Sequence, residues 1–286
     1  VSKYKLERVL VAVSPTEGGL PLAAAHVREL AQHANAEILL VSAVAGRKRA
    51  KALAAAQENL DGLAQSMRDW GATVTARAIA GSPPHAVVLA AAREWRADLL
   101  AVGAHEARIL GAHFGHTARQ LLRFAECPLL LAKDPIFEGY RTILAAVDLL
   151  HDSATLQARI LSVARAVGAG LGSTLRIVSA CAENVGAEDA SVEVDRGVFL
   201  DAGGLERLER AAVERLVRGY GVADDAVDLR AGSPEEVIQA VADQRGAELL
   251  VLGARARRNP LAAALGGTAD AVANASSCDV LLVPMP

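Results

Sequence analysis

Two stretches of the chain gather side chains that could do chemistry, and three cysteines stand apart from both. His105, His113 and His116 fall close together with Glu106. Imidazole and carboxylate are ordinary ligands of a transition metal, so this cluster is a candidate metal site. Metal geometry is demanding, however, and no cysteine or H-E-x-x-H spacing accompanies these histidines. Polar residues lining a loop are therefore the preferred reading, with no metal expected. Arg255, Arg257 and Arg258 crowd the second stretch. Guanidinium groups clamp phosphate or carboxylate through paired hydrogen bonds; a solvated basic loop is the alternative. Cys127, Cys181 and Cys278 are odd in number, far apart and without C-x-x-C spacing. Neither a disulfide framework nor a zinc knuckle follows, and a reducing compartment fits best. Cys127 and Cys278 each precede an apolar run and read as small packed hydrophobes.

The usual catalytic signatures do not occur. There is no G-x-G-x-x-G after a strand, no G-x-x-x-x-G-K-[ST] and no G-x-S-x-G elbow. A Rossmann dehydrogenase, a P-loop enzyme and a serine hydrolase of the elbow type are disfavoured. Ser14-Pro15-Thr16-Glu17-Gly18-Gly19 is also not the Ser-Gly-Gly loop of an ATP pyrophosphatase. No residue is assigned a catalytic role.

The elements that must position these loops are duplicated. Gly81-Ser-Pro returns as Gly232-Ser-Pro, an offset of 151 (232 − 81), and Cys127 returns as Cys278 at the same offset. Between them, Ala97-Asp-Leu-Leu-Ala-Val-Gly-Ala104 is echoed by Ala247-Glu-Leu-Leu-Val-Leu-Gly-Ala254. Nearer the start, Val13 matches Val147 at an offset of 134 and Ala43 matches Ala180 at 137, so about 14 extra residues fall between the second and third strands of the second copy. The segment 183–199 is the expected insertion. Its Glu183, Glu188, Asp189, Glu193 and Asp195 suggest a solvated acidic loop, or a lid over a nearby crevice.

Within each copy, short β-branched and leucine runs alternate with helical patterns, which predicts βαβ units and a parallel sheet. The expected strands are 8–13, 36–43, 73–79, 98–103 and 128–132, then 142–147, 173–180, 226–230, 248–253 and 279–283. Leu53, Ala56, Leu60, Leu63, Met67 and Trp70 form one core-facing helical stripe, and Leu205, Leu208, Ala212, Leu216 and Tyr220 another. Ser82 before Pro83 and Ser233 before Pro234 each predict a capped helix start. The expected domains are 1–134 and 141–286, joined by 133–141.

Lys+Arg 30 against Asp+Glu 33, a net charge of −3 and 3% aromatic residues leave neither the positive charge nor the stacking rings of a nucleic-acid binder. The apolar runs fall far short of the ~20 residues of a spanning helix, and VSKYKLERVL has no apolar core of signal-peptide length. A soluble, cytoplasmic protein is expected, with neither nucleic acid nor membrane as a partner.

These repeated motifs resemble the universal stress protein family, in particular its E-type tandem members. The resemblance implies two doubly wound, five-stranded domains of the adenine nucleotide alpha hydrolase-like kind, with strand order 3-2-1-4-5. It also implies an aspartate after strand one and a loop G-x2-G-x9-G-[ST] after strand four. Glycines there let backbone N–H groups approach phosphate oxygens, and the next helix offers its positive end to the anion. The first copy reads VGAHEARILGAHFGHTA: Gly103, Gly111 and Gly115 are kept, but Glu106 replaces the second glycine, His116 the hydroxyl residue and Ser14 the aspartate. The second keeps Asp148, Gly253, Gly266 and Thr268, with Gly267 in the hydroxyl position, Ala256 at the second glycine and Pro260 in the loop. Carried over from the family, the ligand site is Asp148 for a ribose or polar group, Ala180 on an adenine-like face, and Gly253, Gly266, Gly267 and Thr268 for phosphate. ATP is the candidate ligand. The expected function is a stress-response protein without catalysis, binding a small molecule or a protein partner. The rival is an ATP-binding, slowly hydrolysing switch built on the second copy. The family pairs last strands between domains, which implies an intramolecular pseudo-dimer, with a homodimer of whole chains as a further form.

Overall fold

The computed structural model describes the chain except residues 1–3, 16–19, 47–48, 105–115, 134–137, 150–153, 182–191, 196–197, 201, 221, 255–266 and 286. In the first half the strands are β1 (Arg8–Ala12), β2 (Glu37–Val44), β3 (Thr73–Ala80), β4 (Leu99–Gly103) and β5 (Leu129–Ala132). Their counterparts are β6 (Thr142–Ala146), β7 (Thr174–Cys181), β10 (Val227–Ala231), β11 (Leu249–Ala254) and β12 (Asp279–Pro284). The helices are α1 (Leu22–Ala34), α2 (Arg49–Arg68), α3 (Pro84–Trp95) and α4 (His116–Phe124), then α5 (Ala154–Gly168), α6 (Ala202–Tyr220), α7 (Pro234–Arg245) and α8 (Gly267–Ala275).

All ten of these strands join one sheet, in the order β10-β7-β6-β11-β12-β5-β4-β1-β2-β3. Each half therefore has the order 3-2-1-4-5 with parallel neighbours. The halves meet where β12 runs antiparallel to β5, with Leu281 opposite Leu130 at the centre of the join. Two apolar edges that would otherwise invite pairing with other chains are thus covered by each other.

Burial explains the strand sequences. β5 and most of β12 are buried on both faces, so LLLA and DVLLV need no alternation. β3, at one end of the sheet, carries exposed positions between half-buried ones. One core layer holds Val27 and Leu30 of α1, Leu60 and Met67 of α2, and Ile160 of α5. The opposite layer holds Val88 of α3, Leu121 of α4, Val237 of α7 and Val272 of α8. At the bottom of each half one carboxylate ties strand starts together. Asp98 accepts from the N–H groups of Glu7 and Arg8 at 3.0 and 2.9 Å, and Glu248 does the same for Arg141 and for Thr142 at 2.8 Å.

Four sequence expectations need correction. The offset of 151 falls to 150 at Ala97 and Ala247 (247 − 97), because the first copy has an extra proline, Pro83-Pro84. That residue displaces the cap: α3 starts at Pro84 with Pro83 as its N-cap and no side-chain hydrogen bond, leaving Ser82 outside, whereas Ser233 accepts from the Glu236 N–H. The stripe of α2 ends early. Ala56, Leu60 and Met67 are buried, but Trp70 lies beyond the helix and is 59% exposed, with the Arg28 guanidinium 3.7 Å from its ring centre. In α6, Ala212 is buried, while the side chains of Leu205, Leu208 and Leu216 lie outside the described residues. Finally, the insertion is not simply a loop. Val192–Asp195 (β8) and Val198–Leu200 (β9) form an antiparallel hairpin. The alternation of V-E-V-D is a strand period that its acidity hides. Glu183, Glu188 and Asp189 lie outside the described residues.

Candidate functional site

In the second half β6 lies between β7 and β11, so chain connections leave it in opposite directions and a crevice opens at the carboxyl ends of these strands. A cleft of about 270 Å³ occupies that crevice. Asp148, Ala180, Gly253, Gly267 and Thr268 all line it. Apolar walls come from Leu156 of α5, Val178 of β7, Ile238 of α7 and Leu252 of β11. Pro234 adds the start of α7, and Gly267 and Thr268 bring the start of α8 to the cleft, so two helix N-termini border it. The result is an apolar slot with one carboxylate, one hydroxyl and two positive helix ends.

Gly266, Arg255, Arg257 and Arg258 lie outside the described residues, as do His105, Glu106 and His113; His116 begins α4, but its side chain is not described. Among the described residues no group of histidine, cysteine, aspartate and glutamate is arranged to hold a metal, and no helix is long and apolar enough to cross a membrane. Burial pushes the Cys127 thiol up to about 11 and also raises that of Cys278, which leaves both protonated at neutral pH and poor nucleophiles.

Gly253 has a role the sequence reading missed. A Cβ there would meet Ile160 Cδ1 at 3.1 Å and Leu156 Cδ2 at 3.4 Å, so this glycine lets α5 approach the end of β11. At Gly103, its counterpart, the nearest atom to such a Cβ is Leu22 Cβ at 3.8 Å, an ordinary contact.

The turn that carries Asp148 is held by two further hydrogen bonds. Leu149 N–H donates to Ser179 Oγ at 3.4 Å, and Gln157 Nε2 donates to the Asp148 carbonyl at 3.0 Å. Offsets of 134 and 137 give the first-half equivalents as Ser14 for Asp148, Pro15 for Leu149, Ala23 for Gln157 and Ser42 for Ser179. Proline has no N–H to give and alanine no amide. Ser42 Oγ is accordingly buried with no hydrogen-bond partner. Beside Ser14 there is a hollow of about 20 Å³, roofed by Ala56, Asn59, Leu60 and Leu63 of α2, and Gly103 does not line it. Ser179 and Gln157 were legible only by pairing the copies residue by residue and noticing that Pro15 breaks the pattern.

Two open, doubly wound halves sharing one continuous sheet, with a crevice at the switch point of the second, define a tandem α/β fold. Residues 5–133 and 139–284 each match the universal stress protein family. The chain belongs to that family, with two copies in tandem. It is 29% identical over 172 residues to the universal stress protein E homolog of Haemophilus influenzae, covering 57% of this chain and 53% of that protein. It is 25% identical over 170 residues to universal stress protein E of Photorhabdus laumondii, covering 57% and 54%. The matched region thus spans about half the length of these relatives. Among solved structures, a functionally unknown protein from Pseudomonas aeruginosa PAO1 superposes with a TM-score of 0.77 at 23% identity, over 98% of this chain and 92% of that one. A universal stress protein from Archaeoglobus fulgidus superposes at 0.68 and 18% identity, over 98% and 97%.

Proposed function

We propose that the chain is a non-catalytic stress-response protein that binds one small ligand, with an adenine nucleotide as the candidate, in the cleft of its second half. The observation that supports this reading is the convergence of Asp148, Ala180, Gly253, Gly267 and Thr268 on one slot of about 270 Å³. A base fits the apolar walls at Val178, Ala180 and Ile238, a sugar hydroxyl can donate to Asp148, and a phosphate would take N–H groups at the start of α8. The family pattern adds Gly266 to the phosphate ligands, and Arg255, Arg257 and Arg258 are further candidates for holding an anion.

Equilibrium binding of labelled ATP and AMP to the full chain, with phosphate release followed in parallel, tests this reading. One nucleotide per chain, at least about tenfold weaker with Asp148→Ala, is the expected result. No binding of either nucleotide would refute the nucleotide assignment. Sustained phosphate release lost in Asp148→Ala would replace it with a hydrolysing switch.

A further inference from the structure

The join between the halves carries a buried polar cluster that occurs once, although the join itself is nearly twofold symmetric. Asp279, at the start of β12, is fully buried, as is His26 of α1. Three groups converge on its carboxylate: His26 Nδ1 at 2.6 Å and the Tyr140 hydroxyl at 2.5 Å meet Oδ2, and the Lys133 backbone N–H donates to Oδ1 at 2.7 Å. His26 and Lys133 belong to the first half, whereas Tyr140, just before β6, belongs to the second. The Lys133 ammonium also donates to the carbonyls of Ala273 and Ser276 at 2.5 and 2.7 Å, closing the end of α8.

The equivalent positions show what other pairings of these edges would meet. An offset of 134 makes Ile160 the counterpart of His26, and an offset of 151 makes Pro284 the counterpart of Lys133 and Pro128 that of Asp279. If the β12 edges of two chains paired with each other about the same axis, each Asp279 would face Ile160 and Pro284. Neither can donate a hydrogen bond, since isoleucine is apolar and proline lacks an N–H. Each buried carboxylate would keep the Tyr140 hydroxyl of its own half but lose His26 and the Lys133 N–H, and nothing at the equivalent positions replaces them. If two β5 edges paired, His26 and the Lys133 N–H would face Pro128 and find no carboxylate.

We propose that Asp279, with the His26 ring and the Lys133 N–H set against it, is a pairing code: it makes the β12 edge accept a first-half edge and reject a second copy of itself, so the tandem chain closes within itself. The symmetric apolar pairs Leu129–Leu282, Leu130–Leu281 and Leu131–Val280 supply attraction without choice, because a leucine edge fits any leucine edge. Specificity then has to come from the polar positions, where the wrong partner leaves a group unpaired. Tethering adds a high effective concentration but cannot by itself exclude a second chain when protein is concentrated.

The test uses the full chain in two batches, labelled at the N-terminus with a donor or an acceptor dye. The batches are unfolded, mixed, refolded over a range of concentrations, and read by energy transfer and light scattering. The variant is His26→Ile with Asp279→Val, which replaces the polar pair by apolar side chains; it also takes the acceptor from the Tyr140 hydroxyl and the Lys133 N–H, so its cooperative unfolding is measured first. It should form mixed dimers at a fraction about tenfold or more above wild type at the same concentration. Simple exchange of halves between chains keeps the cluster and so contributes equally to both. An unchanged dimer fraction would overturn the proposal. Should the double variant fail to unfold cooperatively, Asp279→Asn, of the same shape but uncharged, decides in the same way: more mixed dimer than wild type supports the code, and none overturns it.

Discussion

The two halves agree in strand order and in the burial of the first strand, and part company at the turn that follows it. β1 and β6 have the same burial pattern, and each lies parallel to the second and fourth strands of its own half. Two residues later, Asp148 sits on a turn fastened by Leu149 N–H and Gln157, whereas Ser14 precedes Pro15 and the position equivalent to Gln157 is Ala23. Duplication leaves the sheet core under strict packing constraint in both copies, because a change of even one methylene there is felt. The turn bears on packing only at its margin, so one copy could lose its hydrogen-bond donors without losing the fold.

The strongest way to break this contrast is to give the second half the first half's turn. Leu149→Pro removes the N–H that reaches Ser179 and leaves a buried hydroxyl without its donor. We expect a loss of about 1–3 kcal/mol in denaturant titrations. Nucleotide affinity should fall more than about tenfold as the Asp148 turn shifts. If Leu149→Pro binds as wild type does, the fastened turn is not what distinguishes the halves.

A paired glycine substitution comes next. Gly253→Ala places a methyl against Ile160 and Leu156 and should cost about 1–3 kcal/mol through overpacking, while Gly103→Ala, facing an ordinary contact with Leu22, should change stability by no more than about 0.5 kcal/mol. Thermal unfolding of the two variants side by side measures the difference. Equal effects would show that α5 and α1 approach their sheets alike.

Much of this architecture could be read from the residues. The strands followed from continuous apolar runs such as LLLA and DVLLV, since a strand buried on both faces leaves an unmistakable trace, whereas their order and the pairing of the last strands came from the family resemblance. Residues that meet across chain distance were harder. His26 looked like one polar residue in an alanine-rich helix, and Asp279 like one acid before an apolar run. Nothing local says that they touch across an interval of 253 residues (279 − 26). The hairpin at Val192–Asp195 was hidden for a different reason: acidic composition and a short alternating period make competing predictions over so few residues. Within the candidate site, Asp148 and the glycines came from the family pattern. Ser179 and Gln157 act through backbone atoms of other residues and carry no motif.

A smaller contrast separates the two Ser-Pro helix starts. Ser233→Ala removes the hydroxyl that accepts from Glu236 N–H and should cost about 1 kcal/mol, whereas Ser82, displaced by the extra proline, should tolerate alanine with almost no change. Chemical denaturation of both variants checks this. A comparable loss at Ser82 would mean that it has a role other than capping.

The finest probe of the second cleft is Gly267, the first residue of α8. A Cβ there meets no atom of the described residues within 4 Å, so Gly267→Ala should change stability by no more than about 0.5 kcal/mol. Gly253 cannot serve this purpose, because its substitution disturbs packing and site together. If a phosphate comes to the N–H groups at the start of α8, the added methyl stands where the anion must approach, and ATP affinity should fall a few-fold while folding is untouched. Because stability and binding are separated in this one variant, an unchanged affinity would remove the start of α8 from the site and leave Asp148 and the apolar walls to hold the ligand alone.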